Sequence, residues 1–391
     1  MDIIIKYYQG FFTFSLFEYL LLSLIFTHIT IISVTLYLHR CMAHKSIEIN
    51  NSLSVMFRVW LWTSTGMSTK QWVGVHRKHH AHCEKKNDPH SPAVHGLFKV
   101  LFSGADLYRT ATKNKSEIEK YTQDIKNDKL EIFIEKNQNI GIILFLTLLI
   151  VFFGIPGIII WSIQMMWIPF FAAGVINGLA HQKGYRNFDT ADYSHNLCSL
   201  GVIIGGEEMH NNHHACPTSA KFSNKWWEFD IGWLYIRLFS YLKLIKIKKN
   251  MPKLIFSKNF ENNSKDIFCN QIVISTRYIK DVFLPIFRYE CKTGCDIQLK
   301  KFKKEIKKFI KNENLIKKND LIKIENLFER NKNLKKVYFF KKSLISLWSL
   351  KFQTYECFMV ELNKWCEQAE TSGLKALEAF ALDLKKIKIV H

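Results

Sequence analysis

The chain has 391 residues, with 55 lysines and arginines against 34 aspartates and glutamates, a net charge of +21 and a mean hydropathy of -0.05. That average hides a division, because residues 7 to 38 carry a single charge, Glu18, and residues 139 to 182 carry none. Each stretch exceeds the roughly 20 apolar residues that cross a bilayer, which excludes an ordinary cytosolic enzyme and leaves an integral membrane protein.

Residues 11 to 38, read as one helix, reach about 42 Å, longer than a hydrocarbon core of about 30 Å. The far end carries Tyr37, Leu38, His39, Arg40 and then His44, so a histidine-bearing tip is expected in water just past the membrane. No cleaved signal peptide is expected, since the apolar run is too long for one and leads into histidines instead of a small-residue cleavage site. Residues 53 to 75 are apolar and rich in tryptophan (Trp60, Trp62, Trp72) but hold Arg58 and Lys70. If they crossed the membrane, His39 and His44 would face the opposite compartment from His76, His79 and His80. The segment is therefore read as interfacial or re-entrant.

Residues 139 to 182 fit two spans turning at Gly154-Ile155-Pro156-Gly157. Lysine and arginine crowd residues 40 to 136 and the chain after Lys183, while the turn near Gly157 has none, which points the histidines to the cytoplasm. The expected fold is an all-α membrane protein: about three transmembrane helices and an interfacial helix, with a cytoplasmic helical cap holding the histidines. Residues 1–250 would form that domain. Residues 251–391 read as a Lys-rich, mainly helical cytoplasmic region, where the run Lys300 to Lys304 precedes Ile306, Phe309 and Ile310 at helical spacing. Its charge suits a solvated face or anionic lipid head groups, and no nucleic-acid partner is expected. The nine cysteines are scattered without a paired CxxC and read as reduced thiols, Cys291 and Cys295 included.

Most of the fifteen histidines fall in tight groups. His76, His79 and His80 stand at i, i+3 and i+4, and His210, His213 and His214 repeat the pattern. Asn177 and His181 stand at i and i+4 near the inner end of the last span. Such spacings share one helix face. His39 and His44 are five apart, about 140° round an ideal helix, so both can face one centre only if the helix loosens between them. Nine imidazoles in four clusters are too many for one ion of about four to six coordination, and imidazole suits zinc, copper, iron or nickel, so two metal ions are expected. No HExxH of a zinc hydrolase occurs. Of the Glu-x-x-His pairs of soluble di-iron bundles, only Glu207 with His210 is present, and Asp192 with His195 is a weaker imitation.

These words resemble a known family. His39-Arg40-Cys41-Met42-Ala43-His44, His76-Arg77-Lys78-His79-His80, Asn177-Gly178-Leu179-Ala180-His181 and His210-Asn211-Asn212-His213-His214 look like the four boxes of membrane acyl desaturases of the stearoyl-CoA, delta-9 type. Order, spacing and position relative to the apolar segments all agree. Gly184-Tyr185-Arg186 and Gly206-Glu207-Glu208 also resemble the family, and residues 226 to 242, with Glu228-Phe229-Asp230-Ile231-Gly232-Trp233, look most like bacterial members that act on membrane-lipid acyl chains. The likeness covers about residues 11 to 250 and is faint beyond. It implies two iron ions held by His39, His44, His76, His79, His80, His181, His210, His213 and His214, with Asn177 at a position that reaches iron through water. It implies that a saturated acyl chain, as acyl-CoA or phospholipid, gains a cis double bond, by resemblance delta-9, with O2 and two electrons.

No fused b-type cytochrome motif and no Gly-rich nucleotide turn is present, so the electrons are expected from a separate donor such as a ferredoxin and its reductase, drawn to a basic face. Carboxylates near the boxes, Glu84, Asp88, Asp189, Asp192, Glu207 and Glu208, are candidates to fix imidazole tautomers. Arg77, Lys78, Lys85, Lys86 and Arg186 could receive an acidic head group. A bacterial inner-membrane location with a cytoplasmic active site is expected. A histidine-box hydroxylase is the nearest rival. A metal-binding transporter is another, but it would place histidines at mid-membrane depth, where only His28 lies, read as a packing residue.

Overall fold

The computed structural model describes residues 10–256, 264–293, 297–311, 313, 316, 318–350, 352 and 354–390. Cys295 and residues 7–9 lie outside them, and no disulfide joins the described cysteines. The chain divides into two compact units, Met1–Arg186 with Ser194–Met251, and Asn187–Tyr193 with Pro252–His391. The short segment Asn187–Tyr193, expected in the first domain, thus groups with the second.

In the first unit, helix α1 spans Leu16–Ser33 and opens on a capping box: Ser15 Oγ accepts from the Glu18 N–H, and the Glu18 carboxylate accepts from the Ser15 N–H at 2.7 Å. This accounts for the one charge of the apolar stretch. It also moves the helix start from the expected residue 11 to Leu16, since the Phe11 and Phe12 N–H groups donate instead to the Val151 and Phe152 carbonyls. α1 continues into a π-helix, Val34–Ala43, and the 28 residues together are long and apolar enough to cross a membrane.

The segment expected over 53 to 75 is two helices, α2 (Asn51–Thr65) and α3 (Thr69–His82). Gly66, left-handed at φ 65°, ends α2, and the Ser68 side chain caps α3. Neither is among the described helices that could cross a membrane. Arg58 is buried in α2 because Asp128 accepts from it at 2.7 and 2.5 Å and Glu131 at 3.2 Å.

Helix α4 (Leu97–Thr112) packs on a second π-helix, Ile168–Leu179, through glycines: a Cβ at Gly104 would lie 2.8 Å from the Ala173 carbonyl oxygen, and one at Gly174 would lie 2.5 Å from that of Leu101. The hairpin of α5 (Gln138–Phe153) and α6 (Ile155–Trp167) turns at Gly154, with Pro156 in the first turn of α6. α6 with its π-helical continuation is the second candidate span. α5 joined to Lys129–Lys136 across a 78° bend makes a third, so the described residues hold two or three. Two short ribbons complete the unit, Ile47–Ile49 antiparallel to Ile245–Ile247 and Leu200–Gly201 parallel to Phe229–Asp230.

Arg40 ties these pieces together. It is fully buried, donates to Asp230 at 3.0 and 3.1 Å, to the Ala220 carbonyl at 3.0 Å and to Thr35, and lies 3.8 Å over the Phe222 ring. Asp230 also accepts the Phe222 and Trp233 N–H groups at 2.8 and 2.9 Å, capping α8 (Ile231–Tyr241). α7, His210–Ala215, carries the last histidines.

The second unit is helical around its own core, in which Tyr278, Phe283, Phe287, Phe309, Phe328 and Phe358 are fully buried. Ile306, Phe309 and Ile310 form the inward stripe that their spacing implied, while Lys300, Lys301, Lys303 and Lys304 face solvent. A ribbon pairs Lys253–Phe256 with Ile387–Val390, and the Asp189 N–H donates to Thr276 at 2.9 Å within the same unit.

Removing one partner of a buried ion pair strands the other charge, at about 3–5 kcal/mol. Asp230→Ala is therefore expected to lower the thermal unfolding midpoint of the detergent-purified chain well below that of wild type. The double variant Arg40→Met with Asp230→Leu should recover much of the loss.

Candidate metal centre

The first histidine pair is brought to one side by the π-helix. There the His44 N–H donates to the His39 carbonyl at 3.0 Å, five residues back, so the helix is wider and both rings face one centre, 4.8 Å apart. The loosening that the five-residue spacing demanded is present. Ala180 N–H likewise reaches the Val175 carbonyl at the end of the second π-helix, just before His181. α3 presents His76, His79 and His80 on its inner face, and α7 presents His210, His213 and His214.

The nine imidazoles fall into two groups that could each hold a metal ion: His39, His44, His76, His80 and His213, and His79, His181, His210 and His214. Within the first, His39 Nε2 lies 2.9 Å from His76 Nε2 and 3.2 Å from His213 Nε2, His44 Nε2 lies 2.8 Å from His76 Nε2, and His213 Nε2 lies 2.9 Å from His80 Nε2. In the second, His181 Nε2 and His210 Nε2 are 2.9 Å apart. Two nitrogens each about 2.1 Å from one ion and at right angles sit about 3.0 Å apart, so the spacing suits a shared cation.

The far sides of the rings support this. His79 Nδ1 donates to Asp88 at 3.0 and 3.1 Å, and His181 Nδ1 to Glu84 at 3.0 Å. His39 Nδ1 lies 2.6 Å from Glu207 Oε1. With the proton held on Nδ1 of His79 and His181, the Nε2 of each keeps a lone pair free to ligate a cation. Burial pushes His44, His76, His80 and His213 well below the ordinary imidazole range, so they are neutral and ready to ligate. Burial pushes the Asp88 carboxyl up, but the facing His79 and the Glu84 N–H outweigh it and hold it well below the usual range. Glu207 is pushed up to about 8 by burial, against the pull of Arg40 and the Thr35 hydroxyl.

The sequence left six carboxylates unranked, and the structure separates them. Asp88, Glu84 and Glu207 touch imidazoles, whereas Glu208 accepts the Ile204 and Gly206 N–H groups. Of the basic residues proposed for a head group, Arg77 is occupied by the Ala43, Met42 and Tyr121 carbonyls and by Asp124. Lys78 pairs with Glu117 at 2.7 Å and Arg186 donates to the Ser194 carbonyl, while Lys85 and Lys86 are exposed. His28 meets the Tyr235 hydroxyl at 3.0 Å.

Three neighbours were not legible. His90, 6 % exposed, lies with its ring 4.4 Å from His79; Cys83 Sγ is 3.9 to 4.0 Å from nitrogens of His79, His181 and His214; and Trp72 stacks on His76 at 4.9 Å. His90 stood two residues after Asp88, which could have flagged it.

Both groups open on one cavity of about 350 Å³. His39, His76 and His210 share its wall with Asn177 and with apolar Ile31, Val34, Trp72, Ile168 and Ile176.

A membrane-spanning helical chain with paired histidine groups beside an apolar cavity is the arrangement of a lipid-modifying metalloenzyme. The fatty acid desaturase profile matches residues 16–244. The sn-1 stearoyl-lipid 9-desaturase of Synechocystis sp. is 31% identical over 225 residues, 57% of this chain and 69% of that protein. The enzyme of the same name from Anabaena variabilis is 29% identical over 215 residues, 54% of this chain and 77% of the relative. Acyl-CoA 5-desaturase AL21 of Anemone leveillei is 30% identical over 263 residues, 65% and 79% respectively. The chain belongs to the fatty acid desaturase family, and it is an oxidoreductase, a fatty acyl desaturase.

A transposase profile also matches, over residues 276–389. In Pro252–His391, Glu290 accepts from Asn331 and Asn333, Asp383 from Arg277, and Glu325 from Tyr338 and Lys342.

Loss of a carboxylate that orients a ligating imidazole typically costs about 10–100-fold in metal affinity. Asp88→Asn should weaken binding of added Co²⁺ by that order, read by absorbance titration of the metal-stripped protein, with helix content by circular dichroism unchanged.

Proposed function

We propose that this protein inserts a cis delta-9 double bond into a saturated acyl chain carried by a membrane glycerolipid, using two iron ions, O2 and two electrons from a separate donor. The observation that carries the reading is the opening of both histidine groups onto the one apolar cavity. His39, His44, His76, His80 and His213 would hold one iron and His79, His181, His210 and His214 the other, with Asn177 completing the set through water. When bound, the irons supply the oxidising power, drawn from O2, that removes two hydrogens from an unactivated pair of carbons.

The chain's own share is positioning and exclusion of water. Asp88 and Glu84 hold two imidazoles in the ligating tautomer, and Glu207 lies against a third. The wall of Ile31, Val34, Ile168 and Ile176 takes a hydrocarbon tail and fixes one carbon–carbon bond near the histidines. The stearoyl-lipid relatives favour a lipid-bound chain and position 9, while the acyl-CoA 5-desaturase shows that neither is uniform among similar proteins. Exposed Lys85, Lys86 and Lys183, next to two of the boxes, would attract an acidic ferredoxin-like donor, served in turn by its reductase. The basic flanks of the spans favour a site facing the cytoplasm, and the likeness to bacterial relatives favours a bacterial inner membrane.

Expression in cells lacking their own desaturase, followed by mass spectrometry of lipid acyl chains, tests this. A loss of about 2 mass units on octadecanoyl chains, absent in His213→Ala, is the expected result. A gain of about 16 mass units would mean a hydroxylase.

A further inference from the structure

Part of the cavity wall is buried and polar. Its lining includes exposed Arg109 and Asn139 as well as buried Ile31, Ser64, Gln164 and Ile168, with Ser64 at 0% and Gln164 at 1% exposure. Gln164 Nε2 donates to the Ser64 carbonyl at 3.3 Å. Gln164 Oε1 and the Ser64 hydroxyl, both buried, meet no partner in the protein. Gln164 precedes Asn177 by 13 residues of α6 and its π-helical continuation, roughly 15 to 20 Å along the helix. A saturated tail offers no group to satisfy either atom, and pressing hydrocarbon against them is unfavourable. A cavity with two such partners suits a hydroxyl, which donates to Gln164 Oε1 and accepts from Ser64.

We propose that Gln164 and Ser64 form a hydroxyl-binding site in the buried wall of the cavity and so set which chains are accepted. Under a plain chain the hydroxyl is that of a water, which becomes the floor and limits chain length; otherwise it is a hydroxyl borne by the chain near its far end. This rests on the acyl-chain reading above.

The test uses the full chain in cells lacking their own desaturase, fed an equimolar mixture of hexadecanoate, octadecanoate and eicosanoate. A second culture receives octadecanoate with its terminally hydroxylated counterpart. Product ratios within one culture cancel differences in the amount of folded enzyme. If the floor is a water, Gln164→Leu and Ser64→Ala each raise the ratio of C20 to C16 unsaturated product about tenfold. If the chain supplies the hydroxyl, wild type prefers the hydroxylated substrate and Gln164→Leu loses that preference. Ratios unmoved in both cultures by both variants would overturn the site while leaving the desaturase intact. No unsaturated product from wild type on any chain would instead take down the functional reading, and the site with it.

Discussion

Nine imidazoles can share so small a volume only while they are neutral, and every larger feature of the first unit serves that condition. Burial makes the charged form costly, so His44, His76, His80 and His213 stay unprotonated. Neutral rings still have to present their lone pairs, and the carboxylates of Asp88 and Glu84 do this from behind. A cation of higher charge, shared by several nitrogens, is the natural way to fill the space.

Holding the rings there depends on two departures from ideal helix geometry. An α-helix would turn His39 and His44 to different sides; the π-helix of Val34–Ala43 widens the turn and brings them together. Such a stretch is less stable than α-helix on its own, so it needs support from packing. Arg40 gives it, joined to Asp230 and stacked on Phe222, whose ring lies 4.9 Å from His213 and 5.5 Å from His39. The same side chain that fixes the helix therefore also fixes the rings. The second π-helix, Ile168–Leu179, is braced differently, by the close approach of α4 that Gly104 and Gly174 permit.

Local rules made much of this readable. Apolar length gave the first and last spans, Gly154 and Pro156 gave the hairpin turn, and i, i+3, i+4 spacing gave the clusters on α3 and α7. The five-residue gap between His39 and His44 even demanded the widened helix. What escaped was set by partners distant in sequence or by two- and three-residue elements with too little pattern to see. Glu18 read as a lone charge in a span until Ser15 revealed a cap. Gly66 broke the 53 to 75 segment because its backbone adopts φ 65°, a choice that an apolar, Trp-rich stretch does not advertise. Arg77 looked available for a head group, yet carbonyls 34 to 44 residues away and Asp124 occupy it. Asp88 could be ranked above Glu208 only once the fold put it against His79.

The cavity joins the two halves of the problem, since the same residues that make a membrane protein make the site dry. Ile31 and Val34 face it from the first span and its π-helix, Ile168 and Ile176 from the last, so the apolar lengths that marked the spans also line the space beside the histidines. Exposed apolar side chains on the same helices, such as Leu20, Leu24, Ile158 and Ile159, are then lipid-facing and need no partner. Polar atoms on Gln164, Ser64 and Tyr108 stand against this apolar lining. In a membrane interior polar side chains without a structural bond are costly enough that a ligand is the economical explanation. A wall that carries polar atoms at a fixed place discriminates between tails by what they bring to that place, which a uniformly greasy tube of the same volume would not do.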